Sequence, residues 1–228
     1  MPDILLINPN TSSASTDMMV RIAAACSAGL PGSLTISGCT AGQGPAMIVN
    51  EAELAAAALQ VQLAWQAAAV AAEKSWAGIV VSAFGDPGME TLRATTSLPV
   101  VGICEASLLE AAQGGRRFGI ATVTPELAGL IQQRVDELGL GAAYTGIRLT
   151  PGEPRTLAAN PAALQIALAE AVNQCIVDDG AEAVIIGGGP LAQAATQLQA
   201  RWGIPIIEPI PAAVRQLVAL LNAEAVLN

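Results

Sequence analysis

An α/β fold of two pseudo-symmetric lobes, each a mostly parallel sheet flanked by helices, is what this sequence predicts. Three observations predict it. Short β-branched apolar runs alternate with longer helical stretches, the pattern of parallel strands joined by crossover helices. Two of those runs end alike: residues 78–88 (GIVVSAFGDPG) and 183–192 (AVIIGGGPLA) each read as buried strand, glycine turn and helix start, the arrangement that presents backbone N–H groups to a small anion. The third observation is spacing. Aligning Ile79-Val80-Val81 with Val184-Ile185-Ile186 pairs Ala83 with Gly188, 105 residues on. Leu98-Pro99-Val100-Val101 matches Ile204-Pro205-Ile206-Ile207 at 106, and residues 5–11 resemble 119–125 at about 114. Three strand ends recurring in one order point to an internal duplication. On that reading Ala83 and Gly188 are expected to face each other across a cleft between the lobes.

The elements follow in order. Asp3 to Asn8 is the first strand. Thr11 to Ser13 offer N-caps for a helix that Gly29-Leu30-Pro31-Gly32 stops. Leu34 to Ser37 is the second strand, and 38–45 a glycine-rich loop at its end. A long amphipathic helix is expected over 50–75. Strand 78–82 leads to the central turn, with Asp86 expected as N-cap and Pro87 as first residue of a helix over 87–95. Strand 99–103 leads into a helix opened by Glu105, Ala106 and Ser107 and ended by Gly114-Gly115. The second half repeats the plan: strand 118–124, helix 125–138, strand 144–149, a loop at 150–154, helix 161–178, strand 183–187, helix 190–201 and strand 204–208. Pro209 and Pro211 are expected to break the chain before a last helix, 211–226, that packs back on the first half. The lobes are therefore placed at 1–98 plus 212–228 and at 99–211.

Composition narrows function. The net charge is −9, with one lysine and nine arginines, and no basic cluster exceeds Arg116-Arg117; nucleic-acid binding needs a dense cationic face. The start of the chain enters a strand without a basic-then-apolar leader. The Ala-rich stretch 54–72 is interrupted by Gln60, Gln62 and Gln66, which reads as a packed helix rather than a membrane span. A cytoplasmic location is expected. Cysteines 26, 39, 104 and 175 form no C-x-x-C pair. The chain has no histidine, which removes Ser-His-Asp and Cys-His catalysis, His metal sites and His general bases together.

Strand C-termini of parallel sheets converge on the ligand crevice. Here they supply Asn8, Asn10, the 38–45 loop, Ser82 to Phe84, Gly102 to Glu105, Thr122, Thr124, Gly187 to Gly189 and Glu208. Hydroxyls, amides and backbone N–H groups dominate, a set suited to a small anion or a polarised carbonyl. The Gly187-Gly188-Gly189 turn lacks Gly-Lys-Ser/Thr and is not G-x-G-x-x-G, so no nucleotide site is read there.

Asn8-Pro9-Asn10-Thr11-Ser12, Phe84-Gly85-Asp86-Pro87-Gly88, Gly102-Ile103-Cys104-Glu105-Ala106 and the turn at 187–192 together resemble the aspartate/glutamate/hydantoin racemase superfamily, its hydantoin and allantoin branch most of all. The resemblance spans the whole chain. It implies two similar α/β lobes with the active site between them, and no cofactor. It also implies a catalytic cysteine from each lobe, one thiolate removing an α-proton and the other thiol returning a proton on the opposite face. Related branches include single-cysteine arylmalonate decarboxylases and maleate isomerases. This sequence departs from the pattern at the decisive positions: Ala83 stands immediately before Phe-Gly-Asp-Pro-Gly and Gly188 in the glycine turn. Glycine is an unusual replacement for a deliberate knockout, so both residues are read as native.

Neither residue moves a proton, and the catalytic residues are left open with Ser82, Cys104 and Glu105 as candidates and Glu208 behind them. The substrate set is Asn10, Thr11, Gln43, Ser82, Ala83, Phe84, Gly85, Thr122, Thr124, Gly188, Gly189 and Pro190. The expected function is that of a cofactor-independent racemase-superfamily enzyme acting at the activated α-carbon of a hydantoin-like or carboxylate substrate. The alternatives are a decarboxylase or isomerase variant, a catalytically inactive homologue that binds a small acid, imide or ureide, and a structural subunit. The partners expected are that small molecule and further copies of the chain in a homo-oligomer, with no metal, membrane or nucleic acid.

Overall fold

The computed structural model describes residues 1–30, 34–71, 75–188, 191, 198–199 and 201–227, the last four as backbone. The chain divides into two compact units: Met1–Ile48, Ala52–Ala106 and Ile210–Asn228 in one, Val49–Glu51 and Ser107–Pro209 in the other.

The first unit holds a four-stranded parallel sheet of β1 (Asp3–Asn8), β2 (Thr35–Thr40), β3 (Trp76–Val81) and β4 (Val100–Gly102), in the order β2-β1-β3-β4. Helices α1 (Ser13–Ala28), α2 (Glu51–Val70), α3 (Met89–Thr95) and α4 (Ile103–Ala111) follow the strands in turn. Leu5, Ile7, Ile79 and Val81 of the central strands pack with Val61, Ala64, Met89 and Leu92 into one apolar cluster. Alternate residues of each strand share a face, so the pairs 5/7 and 79/81 meet one helix layer together.

The second unit repeats the topology. Its parallel strands β5 (Phe118–Thr122), β6 (Tyr144–Leu149), β7 (Ala183–Ile186) and β8 (Ile206–Ile207) are ordered β6-β5-β7-β8. Its helices are α5 (Ala128–Glu137), α6 (Pro154–Ala158) and α7 (Pro161–Val177), and α8 (Pro209–Leu227) returns the chain to the first unit. The repeat extends to individual hydrogen bonds. Ser82 N donates to Ile7 O and Gly187 N to Ala121 O, both at 2.9 Å. Ile79 N donates to Pro99 O and Val184 N to Pro205 O, at 2.9 and 3.0 Å. These pairs reproduce the residue spacing found in the sequence.

Several boundaries differ from expectation, each for a physical reason. β2 runs through Gly38, Cys39 and Thr40: a Cβ on Gly38 would stand 2.7 Å from side-chain carbons of Thr16 and Val20, so this glycine lets α1 approach the strand rather than turn the chain. α2 ends at Val70, and its solvent face is apolar, so it is not the amphipathic helix expected over 50–75. α3 begins at Met89 with Gly88 as N-cap. The expected helix 125–138 opens as a 3₁₀ turn, Pro125–Leu127, and the 150–154 loop ends in α6. The expected helix 190–201 lies largely outside the described residues.

α8 starts at Pro209, ahead of the expected break. Its prolines stand in the first turn, where a helix has no internal partner for its N–H groups and proline has none to offer. Two glycines are required by close neighbours: a Cβ on Gly88 would stand 2.8 Å from Ala58 O, and one on Gly102 would overlap the Asp86 carboxylate. Gly102→Ala is therefore expected to lower stability by at least about 2 kcal/mol in urea unfolding. Gly42→Ala, whose Cβ meets nothing within 4 Å, should stay within about 0.5 kcal/mol of the parent.

Candidate functional site

In the first unit the sheet's C-terminal edge is organised by buried Asn8. Its Nδ2 donates to Asn10 Oδ1 at 2.9 Å, Thr16 Oγ1 at 3.0 Å and the Ser12 carbonyl at 3.1 Å, and its Oδ1 accepts from Asn10 N at 3.2 Å. Ser12 N also donates to Asn10 Oδ1 at 2.9 Å. A backbone N–H can only donate, so these contacts fix the carbonyl side of the Asn10 amide and turn its NH₂ the other way. Among the described residues nothing pairs with that NH₂. Thr11 N donates to Pro45 O at 3.0 Å, and its hydroxyl to Gly44 O at 3.4 Å. The loop carrying exposed Gln43 is thereby held to the same edge.

β3 ends in Ser82-Ala83-Phe84-Gly85-Asp86. Ser82 N and Oγ both donate to Ile7 O, at 2.9 and 2.8 Å. The hydroxyl proton of Ser82 is thus committed to the sheet. Ala83 O accepts from Asp86 N at 3.0 Å, closing the turn. The N–H groups of Ala83, Phe84 and Gly85 find no acceptor among the described residues, although Ala83 and Phe84 are buried. Gly85 has φ +119° and packs on Leu54 of α2. Successive unpaired N–H groups in a turn make an anion-binding concavity.

Asp86 holds that turn, but not as the expected cap of its own helix. It sits at φ +50°, and its carboxylate accepts from Cys104 N at 2.8 Å and Glu105 N at 2.7 Å. It therefore caps α4, which follows the neighbouring strand β4. The motif Phe84–Gly88 and the motif Gly102–Ala106 are two sides of one contact. Glu105 is in turn bound by the Arg93 fork at 3.1 and 2.8 Å, and Arg93 also donates twice to Val100 O. Cys104 is wholly buried. Both have structural work in this geometry.

In the second unit Thr122 takes the place of Asn8. Its hydroxyl donates to Gly187 O at 2.6 Å and lies 3.2 Å from the Thr124 hydroxyl, which then donates to it. Gly188 N donates to Ile186 O at 3.0 Å, and Leu191 N to Gly188 O at 3.1 Å. A Cβ on Gly188 would lie 3.1 Å from Leu191 side-chain carbons. That crowding yields to a small shift of a flexible side chain. Gly189 and Pro190 lie outside the described residues. Thr150, which the sequence reading left in a loop, follows β6 and donates from its N–H to Thr122 O at 3.0 Å. Its buried hydroxyl has no partner among the described residues. The repeat was the signal that could have found it, since Ala41 N donates to Asn8 O in the same way.

Two of the other thiols are poor proton movers. Burial pushes the Cys175 thiol up to about 12, and burial also raises Cys39. Among the described residues no group of three or more Cys, Asp or Glu could hold a metal ion, and no helix is long and apolar enough to cross a membrane.

The model of the Asp/Glu/Hydantoin racemase family matches residues 4–217. The chain belongs to that family. Membership places it among racemase-type isomerases. A hydantoin racemase from Paenarthrobacter aurescens is 29% identical over 220 residues, 95% of this chain and 91% of that protein. The structure of an allantoin racemase from Klebsiella pneumoniae superposes with a TM-score of 0.89 at 28% identity, over 98% of this chain and 89% of the other. An allantoin racemase from Pseudomonas fluorescens gives 0.88 at 26%, over 97% and 92%. The expected superfamily, its hydantoin and allantoin branch and the two-lobed α/β fold are thus met.

Replacing the Asp86 carboxylate should expose how far the first half-site depends on it. Asp86→Ala leaves two buried N–H groups unpaired and should cost about 2–3 kcal/mol in chemical denaturation. Asp86→Asn, which keeps one acceptor oxygen, should cost about half as much.

Proposed function

We propose that this family member binds a small cyclic ureide, imide or carboxylate, hydantoin-like in its chemistry, and promotes carbanion formation at the activated α-carbon without a cofactor, as a homo-oligomer. The observation that carries this reading is the row of N–H groups at Ala83, Phe84 and Gly85, unpaired among the described residues, together with the Asn10 NH₂, which has no partner among them either. Neutral donors of this kind stabilise an oxygen on which negative charge develops, and they need no reorganisation as it does so. An α-proton is acidic only to the extent that the charge left behind reaches such an oxygen. Thr11, Gln43 and Ser82 would frame this first set. Thr122, Thr124, Gly188, Gly189 and Pro190 would line the second set, where Thr150 adds a buried hydroxyl with no partner among the described residues.

The reading also fixes what is missing. Ala83 carries a methyl group where the family resemblance implies a thiol, and Gly188 carries nothing. General acid–base help is worth about 10²–10⁴-fold, so two-thiol racemisation is outside this chain's means. Decarboxylation of an α-substituted malonate asks less of the side chains. Breaking the C–C bond releases CO₂ and leaves its electron pair in the enolate, which the donor row would stabilise, and the one protonation that remains would take its proton from solvent water. This favours the decarboxylase variant over a strict racemase. The third reading is ligand binding alone.

One experiment separates them. The protein is incubated in D₂O with hydantoins, allantoin and α-substituted malonates and followed by NMR. Loss of CO₂ from a malonate is the expected outcome, with slow deuterium entry into hydantoins. Silence across the panel together with a ligand-dependent rise in Tm would leave binding alone, and silence without that rise would end the proposal. Ala83→Cys with Gly188→Cys should raise α-proton exchange at least about 100-fold. A folded double variant with no gain would show that the racemase geometry has not been kept.

A further inference from the structure

α2 is largely apolar on every side, its polar side chains beyond Glu53 being Gln60, Gln62 and Gln66. Its buried face carries Leu54, Ala57, Val61 and Ala64. Its solvent face carries Ala52, Ala56, Leu59, Leu63, Gln66 and Val70, and residues 54–70 include no charged side chain. Leu59 is 61% exposed, Leu63 48% and Val70 89%. A helix that is hydrophobic all round is ordinarily buried all round, and a continuous exposed apolar stripe marks an interaction surface.

We propose that this face docks against the same face of a second copy of the chain, antiparallel, about a twofold axis at the level of Val61. Two features select a copy of the chain over other occupants. The first is size. The spacing 52, 56, 59, 63, 66, 70 alternates steps of four and three, the seam of a helix pair. Reversed on itself about residue 61, it sets Val70 on Ala52, Gln66 on Ala56 and Leu59 on Leu63, large against small at both ends and leucines at the centre. A parallel pair would set each residue on itself, leaving alanines apart and leucines crowded. The second feature is charge. Each copy carries −9, so self-association requires a face that contributes no repulsion, and this face contributes none. A lipid surface fits less well, because helices lying in a membrane interface characteristically bring Lys and Arg on their polar flank, and α2 has neither.

The seam is about 27 Å long. As the centre of an isologous interface it sits at the small end of specific contacts, so a concentration-dependent monomer–dimer equilibrium is expected. This proposal is independent of the substrate.

The test is sedimentation velocity of the full chain across the micromolar range. The parent should shift from monomer to dimer or to a multiple of it. Leu59→Glu with Leu63→Glu sets four carboxylates around the axis and should stay monomeric, with far-UV circular dichroism and Tm unchanged. Register is read by crosslinking. Residues 56 and 66 of one helix are about 15 Å apart, beyond disulfide reach. Ala56→Cys with Gln66→Cys should therefore give an interchain disulfide on oxidation, and either substitution alone should give far less. A monomeric parent, an oligomer that survives the glutamates with its affinity intact, or single variants that crosslink as well as the pair would each overturn the proposal.

Discussion

The turn after β3 depends on one carboxylate. Asp86 leaves β3 in a left-handed conformation and reaches the start of α4, where it accepts two N–H groups that the helix itself cannot satisfy. The consequences spread outward. Gly102 must be glycine because the carboxylate occupies the place of its Cβ. Glu105 can then turn to the Arg93 fork, which holds α3 to β4 through Val100 O. Closed in this way, the turn keeps the N–H groups of Ala83, Phe84 and Gly85 out of any helix or strand.

The two units meet the same demand by different chemistry. Each has a helix directly after its last strand, and each such helix begins with donors that need partners. α4 receives the Asp86 carboxylate; α8 places Pro209 and Pro211 where those donors would be. The central strand ends differ similarly. Ser82 offers a hydroxyl to the Ile7 carbonyl, whereas in the second unit Thr122 reaches across to the Gly187 carbonyl. A duplicated fold thus keeps its strand order and backbone pairing while the side chains that secure them change partners.

Strand positions and the repeat were legible in the sequence because apolar runs and turn residues report local demands directly. Most helix starts were legible for the same reason: Ser12 caps α1 with the hydroxyl expected of it. What escaped was non-local. Asp86 followed by Pro87 looks like a local N-cap, and only the fold reveals that its acceptors serve the helix that follows the next strand. Gly38 looks like a turn residue and Gly102 like an ordinary strand end, yet both are glycine because a neighbouring side chain comes too close. Ser82, Cys104 and Glu105 stand at strand or helix ends, where chemistry is expected, and spend their polar atoms or volume on the scaffold. Asn10 was legible as a polar residue at a strand end, but not that Ser12 and Asn8 fix which way its amide turns.

The account rests on an oxygen of the ligand being received by backbone donors where a thiol is missing. Its most direct test is an amide NMR titration of the ¹⁵N-labelled protein with a hydantoin and with an arylmalonate. If the account holds, the N–H resonances of Ala83, Phe84 and Gly85 and the Asn10 side-chain NH₂ move downfield together and saturate, while those of Cys104 and Glu105, already bonded to Asp86, stay in place. Saturable binding that leaves the 83–85 amides and Asn10 unmoved would contradict it.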